Sequence, residues 1–368
     1  MRSYSVRVLT HQPVRLALTA GGMALCVLLM LFLLGIYRAV SDGSVEYVRR
    51  SNADLWILQK NATNILRSTS VLSRDQEGAL ASVDGIGVVA PVLLQLPTAH
   101  AKGKAATVFL AGYNTQRGLG GPPMIALGRG VEGDSEIVLD RSLAARMRVR
   151  PGDTVQIQDR DLRVVGLSAG TNAFVIQYAF VTFNTARAII GFPGIVTCYL
   201  VKSAPGVSIA DLRRRIEQAM TGVSVYPQPE FLANNIRETE SGFLPILYVV
   251  ALIGTVVLTI ILSLLLTINI LERRKDFAVM KMIGAGKRFL PAIVLEQAAL
   301  ITLAGCGGAF VIFWPAARSV EWLFPEIAVV ASPWHAALVL AIAGAVGLFS
   351  ALISIRRVRQ IYPMEVFE

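Results

Sequence analysis

A chain of 368 residues that is 54% apolar and only 16% charged, with a mean hydropathy of +0.57, departs from ordinary soluble domains, in which about a quarter of residues are charged. Its three cysteines, Cys26, Cys198 and Cys306, form no CxxC or Cys/His cluster, which excludes a disulfide framework and a structural zinc site. The net charge of +10 does not signal nucleic acid: residues 39–242 hold 21 Lys/Arg against 18 Asp/Glu, and the rest of the excess flanks apolar runs instead of forming a basic stripe with aromatics.

The first element is an apolar run, residues 16–37, with no charge in 22 positions. About 20 apolar residues in a helix cross a hydrocarbon core about 30 Å thick, so this run is long enough to span. It is too long for a signal-peptide core and lacks a clean small-x-small cleavage site near Tyr37–Arg38–Ala39, so it reads as an uncleaved span. Tyr37 and Arg38 are placed as interfacial anchors.

Composition changes after Arg38. Residues 39–240 are enough for a folded core, and strand-like stretches recur at 54–59, 87–94 and 107–111. Residues 153–158 and 162–167 predict a hairpin, with Val155 and Ile157 alternating with polar neighbours and a turn at 159–161. Residues 207–220 predict an amphipathic helix carrying Ile209, Leu212, Ile216 and Met220 on one face. Ser208 and Asp211 have the spacing of a capping box, and Arg213–Arg215 read as a solvated face. The expected fold is α+β. No catalytic motif frames its Ser, Asp or Glu residues, and the chain's three histidines (His11, His100, His335) are isolated.

Three further apolar runs follow, at 241–271, 289–317 and 327–355, the last with its span proper at 333–355. The N-terminus (Arg2, Arg7, Arg15), the link at 272–288 and the tail (Arg356, Arg357, Arg359) are rich in basic residues. The short link near Arg318, Glu321 and Glu326 is not. Basic loops face the cytoplasm. The expected layout is therefore a cytoplasmic N-terminus and first span (1–38), an extracytoplasmic domain (39–240), spans at 241–271, 289–317 and 333–355, an outer loop (318–332) and a cytoplasmic tail (356–368). Glu296 is the one acidic residue inside a predicted span and is assigned a structural role near the cytoplasmic end. Gly305, Gly307, Gly308, Gly344 and Gly347 permit close helix packing.

The link reads Glu272-Arg-Arg-Lys-Asp-Phe-Ala-Val-Met-Lys-Met-Ile-Gly-Ala285. Phe277, Met280 and Ile283 share one helical face, bordered by Val279, with charges opposite. Such a helix lies on a membrane surface or docks in a partner's groove. Gly286-Lys287 does not complete a phosphate-binding loop, because Lys281 stands where that motif needs Gly and Arg288 where it needs Ser or Thr. Any ATP energy must then come from another polypeptide.

This segment resembles the FtsX/MacB-like ABC transporter permeases, which include the LolC/LolE lipoprotein-releasing and DevC-type subunits. Their link runs Glu-Arg-Arg-x-Glu-(Ile/Phe)-Ala-(Val/Leu)-(Met/Leu)-(Lys/Arg)-x-(Ile/Leu)-Gly-Ala, and this chain departs mainly at Asp276. The opening of the third span, Leu295-Glu296-Gln297-Ala298-Ala299-Leu300, and Tyr362-Pro363-Met364-Glu365-Val366 are also similar, the latter with Tyr362 and Val366 in place of Asp and Ala. The resemblance implies a non-catalytic subunit in the bacterial inner membrane, paired with a second permease chain as a homo- or heterodimer. It implies two copies of a separate ATPase that bind ATP and Mg, with no cofactor in this chain, contact with membrane lipid, and in some members a periplasmic adaptor. It assigns ATPase coupling to Glu272, Arg273, Arg274, Asp276, Phe277, Met280, Lys281, Ile283, Gly284 and Ala285. Two roles are compatible with it: export or extraction of a hydrophobic or amphipathic substrate such as a lipid, lipoprotein, peptide or drug by mechanotransmission, or FtsX-like regulation of an external partner such as a cell-wall hydrolase.

The orientation has a direct check. With Cys26, Cys198 and Cys306 replaced by serine, Lys275→Cys is expected to resist an impermeant thiol reagent added to intact cells, whereas Lys102→Cys and Arg160→Cys react. Labelling of the Lys275 site from outside reverses the layout.

Overall fold

Two long helices bracket the strand-forming part of the chain in the computed structural model, which describes residues 13–172, 177–192, 194–272, 279, 289–325 and 327–359. In chain order the elements are α1 (Pro13–Arg49), β1 (Leu55–Gln59), β2 (Leu72–Ser73), α2 (Gln76–Ala81), β3 (Ile86–Gln95), β4 (Thr98–Ala101), β5 (Lys104–Tyr113), β6 (Ile125–Gly128), β7 (Glu136–Asp140) and α3 (Arg141–Met147). Then come β8 (Thr154–Ile157), β9 (Arg160–Ser168), β10 (Gln177–Thr182), α4 (Phe183–Ile190), β11 (Ile195–Val196), β12 (Cys198–Ser203), α5 (Ile209–Ala219), β13 (Val223–Pro227), α6 (Gln228–Glu272), α7 (Phe289–Leu323) and α8 (Pro333–Arg359). Among the described residues one compact unit comprises the chain through Arg38, Leu244–Val320 and the chain from Val329. The other comprises Ala39–Phe243 and Glu321–Ala328.

The second unit is organised by one long bent hairpin. β3 and β4 face β5 in a single antiparallel register, from Leu93 opposite Gly112 to Ala101 opposite Lys104. Its two-residue turn holds Lys102 and Gly103 at φ 49 and 74, the left-handed pair that tight hairpins favour. β10 runs parallel along the other edge of β5, β7 follows antiparallel, then β9 parallel and β8 antiparallel. β8 pairs back to β4, so six strands close a ring, with β6 added beside β9. The first part of β3 leaves the ring and pairs with β12, which pairs with β1, which pairs with β13, all antiparallel.

β1 is apolar at every central position because both of its faces are covered. Leu55 and Ile57 point into a core completed by Leu80, Leu212 and Ile216, while Trp56 and Leu58 enter a second, aromatic core with Tyr47, Tyr178, Phe180 and Phe231. α5 forms on the expected face, burying Leu212 and Ile216. Its expected capping box does not form: Ser208 makes no side-chain cap bond, and Asp211 is drawn to Arg214 instead. The expected hairpin is present as β8 and β9. Its turn is tighter than 159–161, because Arg160 already pairs with Ile157 and the reversal is made at Gln158 (φ 51) and Asp159. That register keeps Val155, Ile157, Leu162 and Val164 all buried.

Among the described residues four helices are long and apolar enough to cross a membrane, with candidate spans Leu16–Arg49, Leu244–Leu264, Pro291–Leu323 and Pro333–Arg356. α7 runs past Ala317 to Leu323, so the connection to α8 is shorter than the expected 318–332. Close approaches fall at three of the five expected glycines. A Cβ on Gly305 would lie 2.5 Å from Met23 Cγ and 3.1 Å from the Ala20 carbonyl, one on Gly308 would touch Ala24, and one on Gly347 would collide with the Thr302 hydroxyl. Gly307 and Gly344 face open space. α1 and α7 also meet through Phe32 and Phe313, edge to face at 5.4 Å. Serines join α8 to α6: Ser350 donates to the Thr259 carbonyl (3.2 Å) and Ser354 to the Ser263 carbonyl (3.3 Å), the kind of polar contact that holds helices together where no hydrophobic drive separates them from lipid.

Gly305→Val places two methyl groups where α1 leaves no room. Overpacking of this kind costs about 1–3 kcal/mol, so the detergent-solubilised variant should unfold at a clearly lower temperature, while Gly307→Val at an open site should cost far less.

Candidate functional site

The geometry with most bearing on function lies where α1 ends and α6 begins. A helix end leaves carbonyls without intrahelical partners, and here the side chains of Ser51 and Gln228 donate to them. Gln228, the first residue of α6, donates from Nε2 to the carbonyls of Val48 (2.7 Å) and Arg49 (3.1 Å) in the last turn of α1. Its Oε1 accepts from Trp56 Nε1 of β1 at 2.9 Å and from Ser51 Oγ at 3.4 Å. Its own backbone N–H donates to the Asp54 carbonyl (2.9 Å). One amide thus ties two helices and β1, next to the last strand of the sheet. Around it the rings stack: Trp56 on Phe231 at 4.7 Å, Phe231 on Tyr226 at 5.8 Å, and Tyr47 against Tyr178 at 5.0 Å. The Tyr47 hydroxyl donates to the Gly120 carbonyl (3.0 Å).

The next turns of α6 are held by the loop after β1. Asn235 is fully buried and accepts from the Ile65 backbone N–H (3.2 Å), and Arg67 pairs with Glu238 (3.1 Å). Asn64 Oδ1 accepts from the N–H groups of Leu66, Arg67 and Ser68, which fixes the loop that delivers these contacts. Further along α6 lies Pro245, which has no N–H to give the preceding turn.

The same unit carries a polar cleft of roughly 320 Å³ between the end of β5, the loop after it and the start of α4. The segment before β7 is pinned beside it. Glu136 binds Arg129 and accepts from the N–H groups of Glu132 (2.9 Å) and Gly133 (3.2 Å), and the Arg129 guanidinium is the main reason its carboxyl falls to about 2. Burial raises the Cys198 thiol and the Tyr178 phenol, which leaves neither as a nucleophile. Among the described residues no group of His, Cys, Asp and Glu has the arrangement of a metal site.

Of the predicted coupling residues, Glu272 ends α6. Arg273, Arg274, Asp276, Phe277, Met280, Lys281, Ile283, Gly284 and Ala285 lie outside the described residues. Val279 is described and exposed. Glu296 is half-buried within α7 and engaged in an interaction. Gln228, Trp56, Tyr47 and Asn235 were not singled out from sequence. The one local signal was Pro227-Gln228-Pro229 at a change from strand to helical pattern.

Residues 16–219 match the MacB-like periplasmic core domain, and residues 248–363 match the FtsX-like permease C-terminal region. The chain belongs to the FtsX/MacB-like permeases of ABC transporters. An uncharacterized ABC transporter permease of Mycobacterium tuberculosis strain H37Rv is 24% identical over 96% of this chain and 95% of its own length. Another, from Mycobacterium bovis, is 23% identical over the same shares. The periplasmic region of MacB from Actinobacillus actinomycetemcomitans is similar at 18% identity with a TM-score of 0.39, covering 50% of this chain and 92% of that one.

In this permease Gln228→Ala strips the acceptor from the buried Trp56 indole and the donor from the Arg49 carbonyl. A buried group left unpaired costs about 1–3 kcal/mol, so thermal unfolding of the full chain should shift down by several degrees. Gln228→Glu keeps the acceptor for Trp56 but sets a carboxylate oxygen against the Val48 and Arg49 carbonyls at the negative end of α1, and should be destabilised at least as much as Gln228→Ala.

Proposed function

We propose that this permease, with ATP and Mg held by two copies of a separate ATPase, converts hydrolysis into movement of its sheet unit and so exports or extracts a hydrophobic or amphipathic substrate. The observation that supports the reading is the continuity of α1 and α6. They have 37 and 45 residues, roughly 55 and 67 Å at 1.5 Å per residue, well beyond the 30 Å or so that a bilayer core requires. Each carries an apolar span at one end and is built into the aromatic core of the sheet unit at the other. A displacement of either helix is therefore applied to Gln228 and the strands it holds.

In this reading the multi-pass protein has both termini and the 272–288 link in the cytoplasm, and its sheet unit outside. Residues 272–285 dock on the ATPase, with Met280, Ile283 and Gly284 at the centre of the contact and Arg273, Arg274 and Lys281 at its rim. Apolar anchors at an interface centre dominate affinity, while rim charges contribute less. A second permease chain completes the assembly across α6. The span of α6 is only 18% buried within the chain, against 33–44% for the other three, and Leu252, Ile253, Val256 and Ile260 are exposed along it. An adaptor outside the membrane is compatible with the sheet unit's size.

Met280→Asp puts a charge into the docking contact, at a cost of several kcal/mol if unpaired, and Gly284→Val removes the conformational freedom that only glycine has. The double variant should insert in the membrane normally but fail to retain the ATPase in pull-down, or retain it with hydrolysis uncoupled from transport. Wild-type assembly and transport would remove this segment from the coupling route.

A further inference from the structure

The polar cleft of the sheet unit has a composition that no hydrophobic cargo would use. Its wall includes Arg74, Tyr113, Gln116, Asp134, Phe183 and Asn184. Three of its features identify a ligand. First, Arg74 is half-buried and its guanidinium lies over the buried Phe183 ring at 5.4 Å, yet it has no ion-pair partner among the described residues. The ring holds the cation by a cation–π contact, and the guanidinium's fork of donors suits a carboxylate. The other arginine of the cleft is already committed, because Arg117 pairs with Glu77 at 2.5 Å and also donates to the Val89 carbonyl.

Second, Glu77 and Glu132 of the lining are paired with Arg117 and Arg129, which leaves Arg74 and Asp134 as charges of opposite sign. Such a surface repels a polyanion and favours a ligand that brings a positive charge with its negative one. Asp134 spends one carboxylate oxygen on the Thr182 hydroxyl and keeps the other for an incoming donor. Third, Asn114, Gln116 and Asn184 present amides that donate and accept. An apolar occupant would strip water from these groups without replacing its bonds. The volume of roughly 320 Å³ is at the small end of ligand pockets.

We propose that this cleft binds a zwitterionic, peptide-type ligand, with Arg74 taking the carboxylate and Asp134 the ammonium. The site stands on the sheet unit alone, so it holds whether or not the transport reading does.

The test uses the full chain in nanodiscs and alanyl-alanine as the probe, read by saturation-transfer NMR. Alanyl-alanine should give a saturable signal. Alanyl-alaninamide, without the carboxylate, and N-acetyl-alanyl-alanine, without the ammonium, should each bind at least tenfold more weakly, and inorganic phosphate should not compete. Arg74→Gln should weaken the dipeptide at least tenfold and leave the amide unchanged. Asp134→Asn, which keeps an acceptor for Thr182, should weaken the dipeptide but not its N-acetyl form. These paired comparisons separate lost recognition from lost folding. The proposal is overturned if alanyl-alanine does not saturate, if the blocked forms bind as well as it does, if phosphate displaces it, or if Arg74→Gln binds like wild type.

Discussion

The sheet unit receives two helices, and the constraint that shapes it is the need to satisfy backbone and indole groups where α1 stops. A helix C-terminus buried among aromatic side chains needs donors close at hand. Ser51 supplies some, from its hydroxyl to the Val48 carbonyl at 2.9 Å, and Gln228 supplies the rest. Gln228 also accepts from the Trp56 indole, whose ring lies between Tyr47 and Phe231. The position of β1, and with it the pairing of β12 and β13, follows from that arrangement.

Packing among the apolar helices works by a different rule. Between helices that lipid would solvate equally well, contact is set by surface shape and a few polar bonds. Gly305 lets α1 and α7 approach to backbone distance, and Gly347 makes room in α8 for the Thr302 side chain of α7. The serines of α8 reach carbonyls of α6. Thr302 is buried there, and its hydroxyl has no hydrogen-bond partner among the described residues.

Local periodicity carried much of this in the sequence. The four apolar runs, the α5 face and the β8–β9 hairpin each depend on residues a few positions apart, so their patterns survive without knowledge of the fold. The link motif was legible for the same reason. What was not legible depends on distant partners. Trp56 and Gln228 are 172 positions apart, and nothing near either residue announces the other. The failed cap at Ser208 and the one-residue shift of the hairpin turn show the limit even of local rules: Arg214 competed for Asp211, and burial of Ile157 opposite Arg160 decided the register. The cleft combines β5, α4 and two loops, and no stretch of sequence contains it.

The order of strands has a consequence for biosynthesis. β1 is made early, directly after α1, yet its two neighbours are β12 and β13, which end at Ser203 and Pro227. Closing a loop of that length is entropically unfavourable until its contacts can form. β1 must therefore wait with both edges bare while the ring strands are still emerging, and a bare apolar edge invites pairing with another chain.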